Sequence, residues 1–127
     1  MSVALALTAL ALFQIKHYLA DFQWQNAWMI TGKARYGHPG GVAHAGLHAL
    51  LSLPVLVFAA GGWSGMVAGL LIAEGLVHYH IDWIKLRFGA ARGIGPDDRE
   101  FWHLVGLDQM AHQMTYLGML AGLATQG

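Results

Sequence analysis

Four hydrophobic stretches of this chain each carry two potential metal ligands spaced four residues apart: His17/Asp21, His44/His48, His78/Asp82 and Asp108/His112. Groups at i and i+4 share one face of a helix, so each pair can present two ligands in the same direction. A single pair of this kind arises readily by chance, whereas one on every long apolar segment is a pattern. Imidazole and carboxylate in a chain without cysteine suit zinc, iron or manganese and do not favour copper(I). Two of the pairs belong to a longer repeat. "KHYLADFQWQ" and "VHYHIDWIKL" share His-Tyr-x-x-Asp-aromatic about half a chain apart, which predicts two related halves.

The elements that must position these ligands follow from composition. Hydrophobic residues make up 56% of the chain and charged residues 11%, against about 25% charged in a soluble domain. So few charges cannot cover a soluble surface, and the chain reads as one integral membrane domain. A spanning helix needs about 20 mainly apolar residues, and approximately residues 2–30, 41–60, 64–88 and 100–124 qualify. The expected fold is all-α: a polytopic, antiparallel four-transmembrane-helix bundle with a two-fold internal pseudo-repeat. The opening run "MSVALALTALALFQI" lacks the basic start of a signal peptide and is read as part of the first span. Trp24 and Trp28 suit the headgroup region. Pro39 is placed to open the second helix, Pro54 to kink it, and Asp97 or Asp98 to cap the fourth. Lys33, Arg35, Lys85, Arg87, Arg92 and Arg99 flank the first and third loops. That places those loops in the cytoplasm and both termini in the periplasm of a bacterial inner membrane.

Asp21, Glu74, Asp82 and Asp108 then lie inside spans. Each costs roughly 2.5–3.5 kcal/mol at mid-membrane if unpaired. Lys16 is the one basic residue deep in a span, so the compensating charge is expected to come from metal. At about 1.5 Å per residue, the ligands sort into two layers. His17, His48, His78 and His112 form the deeper one, and Asp21, His44, Asp82 and Asp108 the shallower one. Gln14, Ser52, Glu74 and Tyr116 lie one turn below the histidines, where they could support them. Three aspartates and one hydroxide would be neutralised by two divalent ions, which predicts a dinuclear site within the bundle. In a hydrolytic reading the nucleophile is an activated water, with Asp82 as ligand or base and Glu74 as an alternative base. His38 reads as a surface residue and His103 as interfacial. His80 points away from His78, toward a neighbouring helix or a partner chain. "GMVAG" and "GMLAG" have the small-residue spacing of close helix seams.

"HYLADFQWQ", "HAGLHALL", "VHYHIDWIKLR" and "LDQMAHQ", in this order, resemble a bacterial membrane family catalogued as domain of unknown function 3307, over roughly residues 10–120. The resemblance implies an architecture and no activity. In style of site, the chain is also similar to small membrane-bound metal-dependent hydrolases. Three other readings fit the same residues: axial heme ligation by facing histidines, proton or cation transport, and a structural subunit of a larger membrane complex. A heme pocket gains little from three acids. The lipid bilayer is the expected partner, with a homo-oligomer or a larger complex beside it. A net charge of +0 gives no footprint for nucleic acid.

Overall fold

The capping residues set where each helix begins. Ser2 accepts a hydrogen bond from the Leu5 amide and starts α1, Val3–Tyr18. The helix passes without a break into a π-helical segment, Leu19–Trp24. Gln25 is extended, and the Asn26 side chain then caps a separate short helix, α2, Ala27–Lys33. His38 caps α3, Pro39–Ala60, with Pro39 in the first turn, where its missing N–H costs nothing. Gly61 ends α3 in the left-handed region, and Ser64 caps α4, Gly65–Arg92. Gly93 closes α4 in the same left-handed way before α5, Arg99–Ala124. This computed structural model describes residues 1–125, and all of its regular structure is helical.

Two boundaries differ from expectation. The first span is not one helix over 2–30, because the chain turns at Gln25 and α2 lies apart from α1. Asp98 does stand at the N-cap of α5, but its carboxylate accepts from the Gly95 amide at 2.8 Å and bonds no helix amide.

The four long helices close into a ring: α1 packs on α3 and α5, α3 on α4, and α4 on α5. α2 lies across α3 and reaches α4. Glycine permits that crossing. A Cβ on Gly40 would run into the Trp28 carbonyl, and one on Gly41 would lie 3.3 Å from the Lys33 Cα. The ring's interior divides into two parts. An apolar plug includes Ala9, Phe13, Leu56, Val67, Tyr116 and Leu120, with the Phe13 and Tyr116 rings stacked at 4.9 Å. Toward the end where α2 lies, the interior is polar instead: Lys16, His17, His44, His48, Glu74, His78, Asp82, Asp108 and His112 are all buried. The outer faces are rich in exposed Leu, Ile, Val, Phe, Trp and Met.

Val3–Trp24 and Pro39–Ala60 are each long and apolar enough to cross a membrane. With 28 and 26 residues, α4 and α5 have the length, but they carry most of the acids and arginines.

Candidate metal centre

The i, i+4 spacing on α3 and α4 aims His44, His48, His78 and Asp82 into the ring. On the first helix the same pair straddles the change from α- to π-helix, since His17 closes α1 and Asp21 lies in the π segment. Such segments often mark functional sites, and this one packs on α3. As a result, Asp21 Oδ1 lies 3.1 Å from His44 Nε2 and 3.0 Å from His48 Nε2. His44 Nε2 is also 3.4 Å from Asp82 Oδ2. The rings of the four predicted deep histidines form a closed circuit. Their centroids are 5.4 Å apart for His17–His48, 3.7 Å for His48–His78, 4.2 Å for His78–His112 and 5.3 Å for His17–His112.

Two ligand groups emerge within this cluster. Asp21, His44, His48 and His78 each offer one atom, all within 4.8 Å of one another, and His78, Asp82 and His112 do the same. A tetrahedral ion with bonds of about 2.0–2.1 Å holds its ligand atoms roughly 3.3 Å apart. Several contacts around Asp21 and His44 are already near that spacing, and the rest need only a modest contraction. Each group mixes residues from both predicted layers, so the two groups do not coincide with the deeper and the shallower set. His78 belongs to both groups.

The hydrogen bonds separate inner from outer residues. Both ring nitrogens of His44 and of His78, and Nε2 of His112, are buried without an aligned hydrogen bond. The carboxylates near them attract at 3.1–3.5 Å but are poorly oriented to accept. His112 Nδ1 donates to the Asp108 carbonyl at 2.8 Å, which fixes the tautomer and leaves the Nε2 lone pair facing inward. His17 is engaged on both sides, with Tyr116 Oη 2.8 Å from Nδ1 and Gln109 Oε1 3.0 Å from Nε2. It also lies 3.2 Å from Asp21 Oδ2, so it orients that carboxylate from outside the two groups. Asp108 is drawn aside by Lys85 at 2.9 Å and Gln109 at 3.2 Å. Neither His17 nor Asp108 falls in either ligand group.

Lysines account for the charge that the sequence alone left unbalanced. Lys16 pairs with Glu74 and lies 3.4 Å from His48 Nδ1. Lys33, from α2, reaches Asp82 Oδ2 at 3.0 Å. Lys16, the one basic residue expected deep in a span, is therefore not alone in meeting the acids: Lys33 and Lys85 extend into the cluster from the loop end. Spacing could have revealed Lys85, which follows Asp82 by one turn on α4. Lys33 carries no local signal, because it sits on a separate element.

Other residues settle as follows. Gln14 is exposed and bonds Gln113, so it does not lie beneath the histidines. Ser52 and Glu74 are buried there, and Tyr116 is buried with its hydroxyl at His17. His38 is a half-buried cap that accepts from the Gly40 amide at 3.0 Å. The ring nitrogens of His80 do not reach a neighbouring long helix within the chain. They meet the Leu76 carbonyl and the Tyr36 hydroxyl. His103 is exposed.

Residues 9–125 match the family described as "Protein of unknown function (DUF3307)". The chain belongs to that family. No curated protein and no solved structure matches it. For this DUF3307 chain, therefore, the chemistry is read from the cluster itself.

Proposed function

We propose that the protein is a bacterial inner-membrane metalloprotein of four spanning helices, with a transition-metal centre of the zinc, iron or manganese kind and hydrolytic chemistry. One observation carries the metal reading: five buried imidazole nitrogens, on His44, His78 and His112, have no aligned hydrogen bond. Leaving a buried polar atom unsatisfied costs about 1–3 kcal/mol, and several in one cluster call for a shared electrophile. A divalent ion among Asp21, His44, His48 and His78 supplies one. The group His78, Asp82 and His112 has three ligands, the number at which a catalytic zinc site keeps a position for water or substrate.

Charge supports one tightly held ion. With Glu74, Asp82 and Asp108 each paired to a lysine, Asp21 is the acid in the cluster without one. A Lewis acid there would polarise a bound water or carbonyl. Asp82 is the carboxylate best placed to ligate or to take a proton. Glu74 is the weaker candidate base because Lys16 already engages it. Heme is the weaker cofactor reading, because the histidine rings pack on one another and leave no slot of porphyrin size between facing pairs. Protein purified without chelator is expected to hold about one equivalent of divalent transition metal. Elemental analysis that finds none would sink the proposal.

The inside-out distribution supports the four-span reading. On α4 the buried residues are Val67, Glu74, His78 and Asp82, while Ile72, Leu76, Val77, Ile84 and Phe88 face outward. On α5, Leu107, Met110, Met114 and Leu117 face outward while Asp108 and His112 are buried. Such faces suit lipid and would be a liability in water. Lys33, Arg35, Lys85, Arg87, Arg92 and Arg99 favour a cytoplasmic location for the loop end that bears α2. Single cysteines at Ser2 and Arg35 test the topology: an impermeant thiol reagent applied to intact spheroplasts is expected to label the first and spare the second. The reverse pattern would invert the topology.

A further inference from the structure

We infer that Lys33 is an internal cation holding the place of a second metal ion at His78, Asp82 and His112, and that α2 is the strap that carries it. The inference rests on the metal reading above and adds its regulation.

Asp82 is the one carboxylate of the second ligand group. Its Oδ2 faces the Lys33 ammonium at 3.0 Å. Asp82 Oδ1, the oxygen nearer His112 at 3.9 Å from Nε2, belongs to the same carboxylate, so an ion held there would lie only a few ångströms from the Lys33 ammonium in a water-poor interior, where the two cations repel. Occupation by Lys33 and by a second ion are therefore alternatives. The other lysines near the cluster do not compete in this way. Lys85 holds Asp108, which lies outside both groups, and Lys16 holds Glu74.

The position of Lys33 is built, not incidental. Its ammonium also donates to Gln25 Oε1 at 2.9 Å, and the Gln25 amide donates in turn to the Asp21 carbonyl. Lys33 thus ties the two copies of the repeated motif together, from Asp21 through Gln25 to Asp82. Its helix is seven residues long and is separated from α1 by extended Gln25 and from α3 by a turn. It meets α3 through Gly32, Gly40 and Gly41. A short element bounded by extended Gln25 on one side and a turn on the other can leave without unwinding any of the four long helices. His112 Nε2 and the His78 nitrogen that the first ion leaves free, both buried and unbonded, are what a second ion would find once Lys33 withdraws. The ligand class is a divalent transition-metal ion, alone or brought by an anionic substrate able to draw the lysine away.

The test is calorimetric titration of the metal-stripped, full-length protein in detergent micelles with zinc ion alone. Wild type is expected to show one tight site and a second, much weaker one. Lys33→Met should tighten the second site by at least about tenfold and leave the first within a few fold. Lys33→Arg keeps the charge and should behave as wild type. Retention of the tight first site in Lys33→Met reports that the variant is folded. If that first site is kept and the second is unchanged from wild type, Lys33 does not hold the position and this inference is overturned, while the metal reading stands. If wild type and Lys33→Met both take up no zinc, the metal reading falls and this inference with it. If Lys33→Met alone loses the first site, the lysine serves the fold and the inference is again overturned.

Discussion

His78→Ala is expected to lose essentially all tightly bound metal, the largest effect of any single substitution in the chain. His78 belongs to both ligand groups, and its ring lies between those of His48 and His112 at 3.7 and 4.2 Å. Removing it takes a ligand from each position and opens a buried cavity, so stability should also fall by a few kcal/mol. His17→Ala, on the opposite side of the histidine circuit, is the informative comparison. Its nitrogens are committed to Tyr116 and Gln109, so metal content should drop only partly, through a less well held Asp21. Elemental analysis of the two variants beside wild type checks this. Equal loss in both would mean that the deep histidines act as one four-membered site, and that the division into inner and outer residues is wrong.

Chelation gives the second large effect. Stripping a bound ion would leave Asp21 without a cation and return the imidazoles to their unbonded state. Binding to the folded chain alone stabilises it by about 2.7 kcal/mol when free metal is at a hundred times Kd. The metal-loaded protein should therefore melt several degrees higher than the stripped protein, and adding zinc should restore the difference. Asp21→Asn should narrow that gap sharply, because it removes the acid of the first group that lacks a lysine partner. His38→Ala should keep the gap while lowering both melting points slightly, since His38 caps α3. Melting curves with and without chelator distinguish these outcomes. An Asp21→Asn protein that keeps the full wild-type gap would remove Asp21 from the centre.

The same geometry explains why the buried charges coexist with an apolar exterior. Each acid inside the ring is met by a lysine or by histidines, and each lysine comes from an element other than the one bearing its acid: Lys16 from α1 and Lys33 from α2 meet α4, and Lys85 crosses from α4 to α5. Breaking such a pair from one side leaves an uncompensated buried charge and is costly. Asp82→Ala is thus a poor probe of metal binding on its own, since it strands Lys33 as well.

Much of this was legible in the residues. Helical spacing is a local property, so the i, i+4 pairs showed which side chains share a face, and their presence on every long segment meant that they would meet. Breakers are local too, and Pro39 marked the start of α3 for that reason. The apolar exterior was equally open to reading, because hydrophobic residues make up 56% of the chain and charged ones 11%. What only the tertiary structure decided depends on residues distant in sequence. The π segment at Leu19–Trp24 and the turn at Gln25 separate α2 from the first span, and hydropathy is continuous across both. Which six of the eight candidates face one another rests on the other partners of each side chain: Tyr116 and Gln109 engage His17, while Lys85 draws Asp108 aside. The balance of charge turned on Lys33, a residue with no periodic relation to Asp82, brought to it by a glycine crossing. Spacing along one helix fixes direction, but whether a lone pair is free is settled by the neighbours that arrive from other helices.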